Sequence, residues 1–154
     1  MQKWAHDIDI ENCHVSLMYQ IGAFYHLWPE HCGKNVQPLD LTSLGALYTD
    51  RAEFIEHIST VHGLPSDEEM YPGYRKETCK PLLLRILYGG RYDAWIHEHG
   101  MSPYVRSKRV DKLVRELTAL RDALLDSVRF RSLVSAEKNA QYQKKRSKEA
   151  ARRG

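Results

Sequence analysis

A chain of 154 residues, 42% hydrophobic and 28% charged, has the length of one domain and the composition of a folded globular protein, which excludes a disordered or low-complexity segment. Its most apolar stretch, Val15–Trp28, is broken by Gln20 and His26 and is shorter than the ~20 residues a membrane helix needs. The start, Met1-Gln2-Lys3-Trp4-Ala5-His6-Asp7, turns acidic where a signal peptide would be apolar. Three cysteines, Cys13, Cys32 and Cys79, are an odd number without paired spacing, so an intracellular, reduced setting, cytoplasmic or nuclear, is expected. The net charge of +3 is unevenly placed. Residues 136–154 hold seven Lys/Arg against Glu137 and Glu149, and the remainder is slightly acidic. Residues 1–135 therefore read as the folded unit and residues 136–154 as a basic tail, helical or disordered, suited to nucleic-acid phosphates.

In chain order, Trp4–Ile10 alternates, with Asp7 and Asp9 on one side and Ile8 and Ile10 on the other, which predicts a short buried strand. A helix follows over Cys13–Trp28 and ends at Pro29, with Val15, Met18, Tyr19, Gly22, Tyr25 and Trp28 at helical spacing. His31–Asp40 is a loop. Short helices come next, near Leu41–Leu47 and Asp50–Val61, the second with Asp50 as N-cap and Glu53 completing a capping box. Asp67–Gly73 is an acidic connector. The apolar run Pro81–Tyr88 reads as a helix stopped by Gly89-Gly90, and Tyr92–His99 as another that ends at Gly100. The clearest helix is Ser107–Phe130, where Val110, Leu113, Val114, Leu117, Leu120, Leu124 and Val128 form a continuous stripe; it runs on toward the tail with a break near Ser132–Ser135. Helical periodicity dominates, so the predicted class is mainly α with a short β element near the N-terminus, an α+β chain.

Two constellations carry chemistry. Asp7, Asp9 and, if the strand continues, Glu11 point one way; carboxylates this close repel one another, and a divalent cation relieves that cost with hard oxygen ligands. The alternative is a strand end whose acids meet solvent or Lys/Arg. Cys13, His14, His26, His31 and Cys32 match no closed zinc spacing. The second constellation is Arg75, Lys76 and Lys80 ahead of the apolar run that ends in Tyr88-Gly89-Gly90. In one helix, Lys76, Lys80, Leu84 and Tyr88 share a stripe, with cations for phosphates, an aromatic for a base and glycines for close approach of a nucleic-acid backbone. The competing reading is a core helix with a glycine stop.

In this order the two segments, Asp7-Ile8-Asp9-Ile10-Glu11-Asn12-Cys13-His14 and Lys80 through Tyr88-Gly89-Gly90, resemble motifs A and B of family A DNA polymerases, most nearly the divergent viral versions. The resemblance implies part of a polymerase palm with helical fingers, a virus-encoded chain among the possible sources, and magnesium held by Asp9 and Asp7, with Glu11 beside them. Asp9 would be the catalytic aspartate, with Asp7 its rival for the role. His14 would lie near the sugar of the incoming nucleotide, Lys80 would neutralise the triphosphate with Lys76 and Arg75 nearby, and Tyr88 would stack near the templating base. DNA would follow Gly89, Gly90 and the tail through Lys144, Lys145 and Arg146. Three features depart from the family. Pro81 biases Lys80 away from helical angles, so that the helix could begin at Pro81 and detach Arg75 and Lys76. Leu84 stands where an aromatic is usual. No motif C is found: after Tyr88 the acids Asp93, Glu98, Asp111, Glu116, Asp122 and Asp126 are scattered. Two-metal transfer needs carboxylates from two places, so the expected function is a segment of a split or truncated polymerase that binds DNA, nucleoside triphosphate and magnesium but does not extend a primer alone. A non-catalytic helical DNA-binding or assembly module is the alternative, and a small metal-dependent enzyme using Asp7, Asp9 and Glu11 is a third.

Overall fold

The computed structural model describes residues 13–153, and for Arg129 and residues 146–153 the backbone alone. Among the described residues there are seven α-helices: α1 Cys13–Phe24, α2 Thr42–Thr49, α3 Arg51–Val61, α4 Tyr74–Leu87, α5 Tyr92–Glu98, α6 Lys108–Asp126 and α7 Val128–Arg153. Two 3-10 turns, Tyr25–Leu27 and Pro29–His31, follow α1. The expected α+β architecture is corrected here. No strand occurs among the described residues, and no polymerase palm is evident, because from Cys13 onward the apolar residues recur at three- and four-residue intervals and bury helix faces rather than sheet faces. The strand expected over Trp4–Ile10 lies outside the described residues.

One core joins α1–α6. Its centre is Leu44 and Leu47 of α2, Phe54 and Ile58 of α3, Leu82, Leu83 and Ile86 of α4, Trp95 of α5, and Val110, Leu113 and Leu120 of α6. α2 lies between α1, α3 and α6, and α4 packs on both α3 and α5. Asp50 caps α3 as expected, its carboxylate accepting from the Glu53 amide at 2.9 Å. The reciprocal half of the box is replaced: the Asp50 amide donates to Ala46 O at the end of α2, and the Glu53 carboxylate holds Arg109.

Three boundaries differ from expectation for identifiable reasons. α1 stops at Phe24 because Tyr25 turns inward, where its ring meets Trp28 and His31, and Trp28 stacks on Phe130 with centroids 5.5 Å apart. To bring Phe130 to Trp28, the chain breaks at Ser127, ahead of the expected Ser132–Ser135. α4 is one helix from Tyr74, with Pro81 inside it. Pro81 is exposed, while Cys79, Leu82, Leu83 and Ile86 are buried on the other face, so tertiary packing holds the turn that proline alone disfavours. Nearby, the Trp95 indole donates to Thr78 O at 3.1 Å.

A polar knot ties α3, α5 and α6. Tyr92 Oη accepts from the Ser107 amide at 3.2 Å and shares a hydrogen bond with His62 Nε2, with the Arg106 guanidinium 4.7 Å above the Tyr92 ring. Burial first, and then the charge of Arg106, hold His62 below its ordinary 6.5. The unfolded chain therefore takes up this proton first as pH falls below 6.5, and stability is full above that pH and lost toward the lowered folded value. The urea midpoint is expected to fall more steeply between about pH 7 and 5 in the parent than in His62→Gln. Parallel profiles would show that His62 does not titrate against folding.

Candidate nucleotide and nucleic-acid interface

α4 presents the lysine stripe as one exposed row. Lys76, Lys80, Leu84 and Tyr88 are all solvent-facing, Leu84 at 39% and Tyr88 at 67% relative exposure. Their four-residue spacing, with 3.6 residues per turn, keeps them on one face while the buried residues occupy the other. Arg75 does not join them, because one residue rotates a helix by about 100°. Its guanidinium donates to Pro65 O at 2.9 Å and Leu64 O at 3.1 Å and pairs with Glu56, fastening the loop after α3. The start of α4 already holds an anion as well: the Asp67 carboxylate accepts from the amides of Gly73 and Arg75, both at 2.9 Å. A phosphate on this face would meet Lys76 and Lys80, not the helix N-terminus.

At the other end of the stripe, Tyr88 meets His14 from the first turn of α1. Tyr88 Oη lies 3.3 Å from His14 Nε2 and the rings stand edge to face, 5.5 Å between centroids. Gly89 and Gly90 have a local explanation. Gly89, at φ +79°, donates to Ile86 O at 3.0 Å and Gly90 to Arg85 O at 2.7 Å, the paired bonds of a Schellman stop. A Cβ at Gly90 would lie 2.9 Å from Arg85 O. The glycines thus end the helix, and they also line a groove.

That groove, about 460 Å³, was not foreseen from sequence. Met18 of α1, Leu87 and Tyr88 of α4, Val114, Leu117 and Leu124 of α6, and Phe130 of α7 line it, with Arg121 beside them. Its signal was the width of the α6 stripe, more apolar surface than α2 alone covers.

Glu116 was also misjudged as one of several scattered acids. It is 4% exposed, and its carboxylate accepts from the amides of Ser43 at 2.9 Å and Leu44 at 2.8 Å. It caps α2 from another helix, a role that the N-cap residue Leu41 cannot fill. An acid three residues after Leu113 and four before Leu120 stands in core register, and that was the available clue. Four of the other acids after Tyr88 also have partners. Glu98 holds Arg85, Asp93 and Asp111 share Arg106, and Asp122 pairs with Arg121. Among the described residues no three His, Cys, Asp or Glu side chains are gathered to hold a metal. Asp7, Asp9 and Glu11, the expected magnesium ligands and catalytic acids, lie outside the described residues.

In the expected tail, Lys138, Lys144 and Lys145 are exposed on α7, which continues without a break to Arg153; the Arg146 side chain is outside the described residues. Among the described residues no helix is long and apolar enough to cross a membrane. Comparison with protein-family models, with curated proteins and with solved structures gives no match to this chain.

Proposed function

We propose that the chain binds a nucleoside triphosphate and nucleic acid as a helical segment of a template-directed polymerase, and does not transfer nucleotides by itself. The observation that carries this is the meeting of His14 and Tyr88, 74 residues apart, at the end of the exposed row that holds Lys76 and Lys80. His14, the last residue of the first segment that resembles a polymerase motif, thus touches Tyr88 of the second. In this reading Lys80 and Lys76 neutralise the triphosphate, Tyr88 offers a ring for stacking, and His14 sets the space beside it. Magnesium belongs to the reading through Asp9, Asp7 and Glu11. Two-metal transfer needs carboxylates from a second place, and Glu98, Asp93, Asp111 and Glu116 are engaged in ion pairs or a cap. Nucleotide binding without primer extension is the expected behaviour.

The test is a titration with labelled nucleoside triphosphate. Lys80→Ala is expected to weaken binding about five- to tenfold, the loss of one charge contact of about 1–1.4 kcal/mol, and Lys34→Ala, in the exposed loop before α2, to leave it unchanged. Equal effects would remove the case for a site on α4.

A second reading is favoured by α7. An unbroken 26-residue helix with Lys138, Lys144 and Lys145 exposed suits a non-catalytic nucleic-acid-binding module. In that case nucleic acid binds and both lysine substitutions leave nucleotide binding unchanged.

A further inference from the structure

One face of the molecule carries both a groove and a ridge, and both are apolar. α1 runs along the groove: His14 touches Tyr88 at one end, Met18 lines the wall, and Trp28 stacks on Phe130 at the other end. Leu17 and Phe24, seven residues apart, stand on the side of α1 turned away from buried Val15 and Gly22, and Leu27 follows in the next turn. We propose that a second copy of the chain docks on this face, the α1 ridge of each copy lying in the groove of the other about a two-fold axis.

Four observations favour this occupant. The first is area. Leu17, Phe24, Leu27, Tyr88, Leu125 and Leu133 are each 41–67% exposed. At about 150–250 Å² for a large side chain, they place on the order of 600 Å² of apolar surface around the groove before its walls are counted. A monomer rarely keeps a contiguous patch of that size open, and a standard interface takes about 800 Å² from each partner. The second is shape. The ridge from Leu17 to Leu27 is about 15 Å long, and the α6 wall from Val114 to Leu125 about 16 Å. A face that holds both a ridge and a groove can be complementary to itself, as a two-fold interface requires. The third is polarity. The groove's hydroxyls are engaged, Thr118 donating to Val114 O at 2.8 Å and Tyr88 meeting His14, so apolar side chains suit it better than a polar ligand. The fourth is charge. Arg121 and Asp122, at the α6 rim, carry both signs. A two-fold axis can set each against its opposite, whereas a partner of one sign would be repelled by one of them. Dimerisation does not rest on the nucleotide reading; where both hold, nucleotide and the second copy compete for Tyr88.

The test is sedimentation equilibrium of the full chain, without nucleotide or nucleic acid. With a dissociation constant in the micromolar range, the mass should rise with concentration from the 17.9 kDa of one chain toward twice that value. Leu17→Asp/Phe24→Asp on the ridge and Leu125→Asp at the groove should each raise the dissociation constant at least about 30-fold, because every substitution acts twice across a two-fold interface. All three side chains are exposed in the single chain, so helical circular dichroism should not change. Met70→Asp is the control: Met70 is as exposed as Leu17 but lies near Arg75, at the far end of α4 from Tyr88. It should leave the dimer intact, and so should Tyr142→Asp, out on α7. Mixing the ridge variant with the groove variant gives a heterodimer with one undamaged ridge and groove pair, which should form more tightly than either variant alone. A parent that stays at 17.9 kDa at every concentration overturns the proposal, whatever else covers the groove. A dimer that survives the ridge and groove substitutions, or is lost with Met70→Asp or Tyr142→Asp, also overturns it, as does a mixture no tighter than its components. Because no nucleotide is present, failure here leaves the Lys80 test standing, and failure of that test leaves this one.

Discussion

Glu116→Ala is expected to destabilise the chain by about 3 kcal/mol, the largest effect of any single surface-charge or cap change in the molecule. The carboxylate is buried and accepts from two backbone amides at the start of α2. Bonds to an ionised acceptor are each worth roughly 1.5–3 kcal/mol, and removing the acceptor leaves two buried donors unpaired. Desolvation of the carboxylate offsets part of this, so the effect is smaller than the sum of two bonds. Lys112 adds little, because at 3.8 Å and 36% exposed its attraction to Glu116 is screened. Glu116→Gln keeps the shape and one acceptor but turns an amide N–H₂ toward a backbone N–H, so about half the loss is expected. Urea unfolding measures both, with the midpoint falling and the slope unchanged. A Glu116→Ala midpoint within error of the parent would mean that α2 finds another cap and that the buried carboxylate is not what holds α2 to α6.

How much of this was legible depends on the distance over which each feature is encoded. The α6 stripe as far as Leu124, the Asp50 cap and the glycine stops after α3, α4 and α5 are local, and they stand where residue spacing put them, whereas Val128, expected to extend the stripe, is exposed at the start of α7. Pro81 shows the limit of local rules. Its own preference is to open a helix, but Cys79, Leu82, Leu83 and Ile86 bury a face that runs across it, and the helix goes through. Long-range features were hidden. Glu116 finds its partners 72 and 73 residues away, and a sequence pattern marks only that an acid occupies a core position. The break at Ser127 answers to Trp28, far back in the chain.

The candidate site divides the same way. Arg75, Lys76 and Lys80 form one cluster in sequence, yet helix rotation sends Arg75 to the loop after α3 and leaves the lysines exposed together. Spacing alone foretold the row of Lys76, Lys80, Leu84 and Tyr88. That His14 would stand at its end was not foreseen: the resemblance put His14 near the nucleotide sugar, and nothing local to Cys13–Phe24 points toward Tyr88. The palm was implied by the resemblance and the strand by a single alternating segment outside the described residues, and the described helices supply no sheet for such a segment to join.

Deleting residues 136–154 is expected to change nucleic-acid binding more than any change in α4. α7 is tied to the body near its start by Phe130, whose ring stacks on Trp28, so the deletion leaves the packed end in place and the thermal midpoint should hold. Beyond it, Lys138 and Lys145 are seven residues apart, two turns of one face, about 10 Å along the axis. That span covers about three phosphates along one strand at about 3.4 Å each. Lys144 lies one residue from Lys145 and is turned about 100° from it, toward an adjoining phosphate path. If each of these three lysines displaces one counterion from duplex, the log–log slope of affinity against salt falls by about 2.7 on deletion, at roughly 0.9 per contact. Between about 50 and 200 mM salt the parent should then lose roughly 40-fold more affinity than the shortened chain. The triple substitution Lys138→Gln, Lys144→Gln, Lys145→Gln keeps good helix formers in place and should reproduce most of the change. Slopes that stay equal across parent, deletion and triple variant would mean that α7 is a solvated helix and that nucleic acid, if bound, is held by the α4 face.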